Sequence, residues 1–344
     1  MKIQEQDILR KLSPKRTFIP LLIGLLSTVV IFYWTYEPSQ WQYFWQASLP
    51  ALLGAIAALL VRDGGYTARI RYLSQKELGW RGSLYSILLW EFASAVTPSV
   101  VGGTAVAIFI LNREGIRFGK ALAYVLLTAV LDNAFFIFAA PLAIWFSQGE
   151  VFVGSFNKTM QWTFWFSYLL IALYTFFMAF GLLARPRVVK WLLLKITAFR
   201  WLKRWRKAAY DTGNDLIIAS REIKGKPVAY WLQAAGFTLF IWTARYVTLN
   251  FLMETFIDLS LQDHLLVFGR QIVLWISMLI SPTPGSTGTA EYFFTELYSE
   301  FLGSFSGTVG VLWRLLTYYP YLLLGILILP VWLRRTQQKL KTVE

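Results

Sequence analysis

The sequence predicts an all-α polytopic membrane protein, built as an inverted repeat of about six full spans and two re-entrant helical hairpins. Three observations predict it. Of the 344 residues, 56% are hydrophobic and 17% aromatic, with a mean hydropathy of +0.50, and several apolar runs approach the roughly 20 residues that cross a bilayer as a helix. The 33 Lys and Arg, against 19 Asp and Glu, crowd into alternate gaps between those runs, as cytoplasmic loops facing anionic lipid do. Two of the runs lead into polar, Pro- and Gly-rich stretches, 97–105 and 281–291, that cannot continue a helix.

The elements follow in order. A first span at about 18–36 comes after Lys2, Arg10, Lys11, Lys15 and Arg16. No small-residue cleavage site follows, so it reads as an uncleaved span. The gap 37–46 has no Lys or Arg and holds Trp41 and Trp45, with Trp34 just before it, an outer interfacial belt. Span two, about 47–61, leads to a gap holding Arg62, Arg69, Arg71, Lys76 and Arg81, which is therefore cytoplasmic. Segment 83–111 is basic at both ends, with Arg113, Arg117 and Lys120 after it. It must leave and return on one side, with its tip at 97–104. Its first limb, about 14 residues or roughly 21 Å of helix, is too short for a core of about 30 Å.

The second half mirrors the first. A span at about 121–146 leads to an external gap, and a span at about 162–184 leads to the long basic loop 185–227, the strongest inside signal in the chain. A span at about 228–253 reaches an acidic external gap with Glu254, Asp258 and Asp263. Segment 265–307 then leaves and returns on the outside, with its tip at 281–288, and a last span at 308–333 ends at Arg334, Arg335, Lys339 and Lys341. The return limb 289–306 carries Glu291, Glu296 and Glu300 and is expected to lie partly in water or at the interface. The whole chain, 1–344, is one transmembrane domain, with repeat one at about 17–146 and repeat two at about 162–333. Both termini are expected in the cytoplasm and the protein in the plasma (inner) membrane. Inverted repeats with broken helices meeting near the midplane are a transporter design.

Ionisable residues inside apolar segments are costly and are functional candidates by default. They are Glu91, Asp132, Arg245, Arg270, Glu291 and Arg314. Asp132 and Arg314 hold nearly matching places in the two halves, so a pair across the pseudo-symmetry axis is expected, either structural or functional. Arg314, with Arg245 or Arg270, would otherwise bind a phosphate, because a guanidinium offers a planar fork of donors. Gly102, Gly103 and Thr104 at the first tip, and Pro284, Gly285 and Gly288 at the second, would place helix N-termini and their N–H donors beside it. Glu91, Asp132 and Glu291 would couple or gate. Glu91 and Glu291 are candidates for proton coupling or for a cationic headgroup, and Glu291 alternatively stabilises the start of its own helix. The Trp- and Leu-rich run 188–209 reads as an amphipathic helix lying on anionic lipid, an anchor or a headgroup sensor.

Other functions find little support. There is no cysteine, and the single His264, expected in a solvated loop, makes no His-rich metal site. The charges sit in membrane gaps rather than in a nucleic-acid patch. No nucleotide-binding glycine loop, zinc spacing or nucleophile with a base is visible, so neither a cofactor nor a catalytic residue is expected.

Short motifs at and after the breaks carry a resemblance. They are 98–103 with Asn112-Arg113-Glu114-Gly115-Ile116 and Lys120-Ala121-Leu122, then 282–288 with Glu291, and Arg314-Leu315-Leu316-Thr317-Tyr318-Tyr319. With them the chain resembles the flippase-like transmembrane region of lysylphosphatidylglycerol synthases, which also occurs as stand-alone membrane proteins. That family usually has Pro-Gly-Gly-Leu-Gly where this chain has Pro284-Gly285-Ser286-Thr287-Gly288. The resemblance implies lipid translocation or handling of a lipid-linked substrate. With eleven residues after Leu333, aminoacyl transfer by a soluble synthase domain is not among the expectations. The expected function is a flippase-like transporter moving an anionic lipid or lipid-linked phosphate between leaflets. The alternative is a non-catalytic membrane partner of a separately encoded lipid-modifying or glycosyl-transferring enzyme, docked on 185–227. Third stands a membrane-embedded enzyme using Glu91 or Glu291 on a lipid phosphate.

Overall fold

The computed structural model describes Tyr33 and residues 41–97, 100–152, 158–199, 201–279, 281 and 283–341. The expected first span, 18–36, lies outside the described residues except for Tyr33, as do Pro98 and Pro282. The described residues are helical, without strands. Four stretches are long and apolar enough to cross a membrane: Leu49–Leu73, Phe118–Phe146, Gln161–Ala184 and the interrupted run Thr289–Gln337.

After the short helix α1 (Trp41–Trp45) comes α2 (Leu49–Leu73). Ser48 caps α2 and Pro50 sits in its first turn, where a missing N–H is harmless. The expected span ended at Val61, but α2 runs on through Arg62, Arg69 and Arg71 to Leu73. Arg62 and Arg69 are buried, so they are not loop residues. Arg is a good helix former, and no proline follows Pro50 before the helix ends.

Helices α3 (Trp80–Val96) and α4 (Val100–Arg113) pack against each other across the first break. The break is shorter than expected. Gly102, Gly103 and Thr104 belong to the opening of α4 rather than to an irregular tip, and the helix starts at Val100 rather than Thr104. Gly103 is there for close approach: a Cβ on it would lie 2.6 Å from Ser94 Oγ on α3.

Helix α5 (Phe118–Phe146) and helix α6 (Lys158–Ala179) follow, and α6 runs into a π-turn at Phe180–Ala184. The expected basic loop 185–227 is largely helical, with α7 (Pro186–Ile196), a 3-10 turn at Lys203–Trp205 and α8 (Arg206–Ile223). The amphipathic helix expected over 188–209 therefore ends at Ile196. α8 packs on α5 and α7, burying Leu216, Ala219 and Ile223. That contact gives this basic segment a folded base.

Helix α9 (Val228–Glu254) lies along α2. The approach is close, since a Cβ on Gly65 would lie 2.8 Å from Ile241. Tyr230 closes one end by donating to the Leu73 carbonyl at 3.1 Å. Helix α10 (Leu261–Met278) starts at a capping box made by Ser260 and Asp263. Beyond it lie the second break, with a 3-10 turn at Pro284–Ser286, and α11 (Thr289–Leu302), which packs back on α10. The return limb is less wet than expected. Phe293, Phe294, Leu297 and Tyr298 are buried on it, and so is Glu291.

The expected last span, 308–333, is interrupted. Helix α12 (Ser306–Thr317) stops at Tyr318, and α13 (Tyr319–Lys341) starts beyond it. Pro320 has no N–H to offer the Leu316 carbonyl, which breaks the ladder there. Apolar side chains gather in three clusters: around Phe136, Trp242 and Phe294, around Tyr66, Tyr124 and Tyr230, and between α3 and α13 around Phe92 and Trp332. In lipid, helix association rests on such close packing and on internal hydrogen bonds rather than on the hydrophobic effect.

Candidate functional site

A cavity of about 330 Å³ lies between α2, α3, α5, α9 and α10. Both breaks border it. Ser94, Thr97 and Thr104 line it from the first, and Ser281, Thr283, Gly285 and Ser286 from the second. Tyr66, Trp90, Trp242 and Trp275 give it aromatic walls, and its ionisable groups are Arg69, Glu91, Asp132 and Arg245. Its size is that of a small-ligand pocket with a few placed polar groups.

Asp132 does not meet Arg314, contrary to the sequence expectation. Its carboxylate takes a two-pronged bond from Arg69 on α2, at 2.5 Å and 3.1 Å. Trp242 Nε1 donates to the same carboxylate at 3.0 Å, and Arg69 also donates to Thr238 at 2.9 Å. Three helices, α2, α5 and α9, are thus joined by one pair. Symmetry placed Asp132 and Arg314 at matching positions. Packing instead brought α2 against α9 and put Arg69 within reach.

The second pair is looser. Glu91 Oε1 on α3 lies 3.7 Å from Arg245 Nη1 on α9 and 3.8 Å from Arg62 Nη2 on α2. The side chains of Arg245 and Glu91 are 28% and 23% exposed, whereas that of Arg62 is fully buried. Arg62 donates to Asp63 at 2.7 Å and to the Tyr321 hydroxyl at 2.5 Å. Tyr321 donates in turn to Asp63 at 2.7 Å, which anchors α13 to α2.

Arg314 does not line the cavity and is held at the second break. It faces Glu291 at 3.0 Å and donates to the Gly285 carbonyl at 2.9 Å and to Thr287 Oγ1 at 3.2 Å. Glu291 in turn accepts from the Gly288 N–H at 2.6 Å. This bond stabilises the start of α11, one of the roles expected of Glu291. Gly285 and Gly288, at φ 56 and 84, take left-handed conformations that glycine adopts without a Cβ clash. The guanidinium of Arg314 also lies 3.9 Å over the ring of Tyr318. Tyr318 fills the space a side chain at Gly285 would need and donates to the Ala95 carbonyl, just before the first break, at 3.1 Å. Tyr318 thereby ties the two breaks together at the place where α12 ends.

Arg270 is likewise not a cavity residue. Buried on α10, it donates to the carbonyls of Leu297 and Glu150 and to Glu300 at 2.9, 3.1 and 2.5 Å. It fastens α10 to α11. His264 is half-buried in the first turn of α10, and Asn250 donates to its carbonyl at 2.7 Å, so it is not a free loop residue. Arg245, Glu91, Asp132, Thr104 and Gly285 are thus the expected residues that the fold gathers at the cavity. Gly103 serves the α3–α4 crossing, and Gly288 the start of α11.

Sequence reasoning missed Arg62, Arg69, Tyr318 and Tyr321. For the two arginines a signal existed. Arg62, Tyr66, Arg69 and Ile70 repeat at helical spacing and extend the apolar face of 49–61 without a breaker. Counting Arg62 and Arg69 as loop charges concealed it. Among the described residues, no group of three or more His, Asp or Glu is placed to hold a metal ion.

These features define an all-helical membrane protein whose broken helices and paired charges surround an aromatic-walled cavity. The chain belongs to the family described as the lysylphosphatidylglycerol synthase TM region, which matches residues 19–325. It is also similar to a protein of Archaeoglobus fulgidus named as a UPF0104 membrane protein, with 27% identity over 327 residues, covering 89% of this chain and 94% of the relative. The match is to a transmembrane region, and the relative's name carries no enzyme activity. No solved structure matches the chain.

Proposed function

We propose that the chain moves an anionic lipid, or a phosphate linked to a lipid, between membrane leaflets in the manner of a flippase. Arg245 carries this reading. It is the cavity cation that no hydrogen bond holds among the described residues, and its nearest carboxylate is 3.7 Å away, beyond hydrogen-bond range. Its donor fork is available to a phosphate. Of the arginines expected to share the phosphate, Arg314 is bonded to Gly285 and Thr287 at the second break, so Arg245 is the one this proposal takes. Lipid tails would stay outside the cavity while the headgroup enters it.

In this proposal the two halves, about 17–146 and 162–333, are inverted repeats and both termini face the cytoplasm of a plasma-membrane protein. Support comes from the charge pattern and from the two packed limb pairs, α3 with α4 and α10 with α11. The basic face around α7, with Trp191, Trp201 and Trp205 exposed, fits the anionic cytoplasmic headgroup layer.

The test is leaflet exchange of fluorescently labelled phosphatidylglycerol in proteoliposomes, with wild type and Arg245→Ala compared. Wild-type exchange lost in a folded Arg245→Ala variant is the expected result. Absence of exchange across several anionic lipids with folded protein would overturn transport. The reading as partner of a separate enzyme, docked on 185–227, would then take its place.

A further inference from the structure

Glu91 stands between two arginines that differ in kind. Arg245 lines the cavity and is partly exposed, and no hydrogen bond holds its guanidinium among the described residues. Arg62 lies fully buried behind Glu91, and its Nη1 has no hydrogen-bond partner. A buried guanidinium donor left unfilled is unfavourable. The two distances from Glu91 Oε1, 3.7 and 3.8 Å, are nearly equal, and both exceed hydrogen-bond length. Glu91 is attracted to both cations and committed to neither.

We propose that Glu91 is an internal counter-ion that competes with the phosphate of the cargo for Arg245, and that arrival of the phosphate hands Glu91 over to Arg62. This rests on the reading of Arg245 as the phosphate site. With the cavity empty of cargo, Glu91 neutralises Arg245, which as a bare cation at membrane depth would be expensive. When a phosphate takes the fork of Arg245, repulsion between the two anions pushes Glu91 away. The Arg62 guanidinium, whose Nη2 lies 3.8 Å away and already donates to Asp63 and Tyr321, is the other cation in reach. Arg62 is bonded to Tyr321, so occupation of the cavity is transmitted to the contact between α2 and α13. Small shifts at such a contact are what domain rocking in transporters acts on.

Asp132 does not share this role. Its carboxylate is held by Arg69 and Trp242 at hydrogen-bond distances, so it has no second seat to move to. The counter-ion function is specific to Glu91 among the carboxylates of the cavity.

The experiment is calorimetric titration of the purified full chain in neutral detergent. Two probes run in parallel, dihexanoylphosphatidylglycerol and glycerol 3-phosphate, which separate a lipid headgroup from a free phosphate ester. Wild type is compared with Glu91→Gln, Glu91→Ala and Arg245→Ala. Removing the competitor is expected to tighten binding by about tenfold in both Glu91 variants, in whichever probe binds, while Arg245→Ala weakens it. A merely structural role for Glu91 cannot give that result, because damage to the site loosens binding. Equal or weaker binding by both Glu91 variants, with Arg245→Ala still defective, would overturn the counter-ion and leave the phosphate site standing. Equal binding by wild type and Arg245→Ala, or none by any protein, would remove the phosphate site and the counter-ion with it.

Discussion

Arg314 Nε and Glu291 Oε1 face each other at 3.0 Å across the second break, with side chains 6% and 3% exposed. Between them they hold the carbonyl of Gly285 and the N–H of Gly288. The turn is therefore clamped at both ends by one buried ion pair, and the cavity wall formed by Thr283, Gly285 and Ser286 depends on it.

Because both partners are buried, removing one leaves the other uncompensated. Arg314→Met is expected to lower stability by about 3–5 kcal/mol, seen as a large drop in the thermal unfolding midpoint of the detergent-purified protein. Arg314→Met combined with Glu291→Gln should recover part of that loss, since the stranded carboxylate is gone. A single variant with a wild-type midpoint would refute the clamp.

Ser286 is expected to be a strained position. It adopts φ 55, a left-handed conformation that costs an L-residue roughly 1–2 kcal/mol. Ser286→Gly should therefore stabilise the protein by about 0.5–1 kcal/mol, less than the full relief because glycine also gains freedom in the unfolded chain. A lower unfolding midpoint would show that the hydroxyl of Ser286 outweighs the backbone term.

Gly325 on α13 lies against the ring of Phe92 on α3, where an added Cβ would overlap the ring. Phe92 is 1% exposed and has nowhere to withdraw. Gly325→Ala should destabilise by about 1–3 kcal/mol through overpacking, and Phe92→Leu should restore part of it in the double variant. Additive effects of the two changes would mean that they do not share one contact.

Asp263 supplies a pH dependence on the acid side. Its carboxylate accepts from the Ser260 hydroxyl at 2.7 Å and from the Ser260 N–H at 3.0 Å, and these bonds hold its pKa below the ordinary carboxylate value. The folded value lies below the unfolded one of about 3.9. The stabilisation is thus complete above that pH and is lost as the pH falls through the lowered folded value. Ser260→Ala should cost about 1 kcal/mol at neutral pH, as lost helix caps do. The gap to wild type should narrow on acidification towards pH 3. A gap that stays constant across that range would separate the cap from the titration of Asp263.

Much of the architecture was legible from the chain alone. The prolines and glycines of 97–103 and 281–288 marked both breaks, because a residue without an N–H or with free φ is a local property. The apolar runs marked the long helices for the same reason. Glu91, Asp132 and Arg245 stood out as charges in apolar surroundings, and all three line the cavity. What misled was treating charge as position. Arg62 and Arg69 were counted as loop residues, yet Arg62 pairs with its chain neighbour Asp63 and Arg69 with Asp132 on α5, and α2 continues through them. The break at Tyr318 was missed because 308–333 was taken as one unbroken apolar span, and Pro320 within it was not weighed.

The sequence by itself determined that this is a helical membrane protein, that two polar breaks interrupt its apolar runs, and that Glu91, Asp132 and Arg245 are charges in apolar surroundings. Periodicity, breakers and hydropathy are properties of neighbouring residues, so a single chain states them. Which charge answers which was decided only by tertiary structure. Arg69 reaches Asp132 across 63 positions, Tyr321 reaches Arg62 across 259, and Tyr318 reaches Ala95 across 223. Such pairings depend on the register at which α2, α9 and α13 pack, and that register is set by close contacts such as Gly65 on Ile241 and Gly325 on Phe92. No local pattern encodes it, because the energy that selects it exists only once the helices meet.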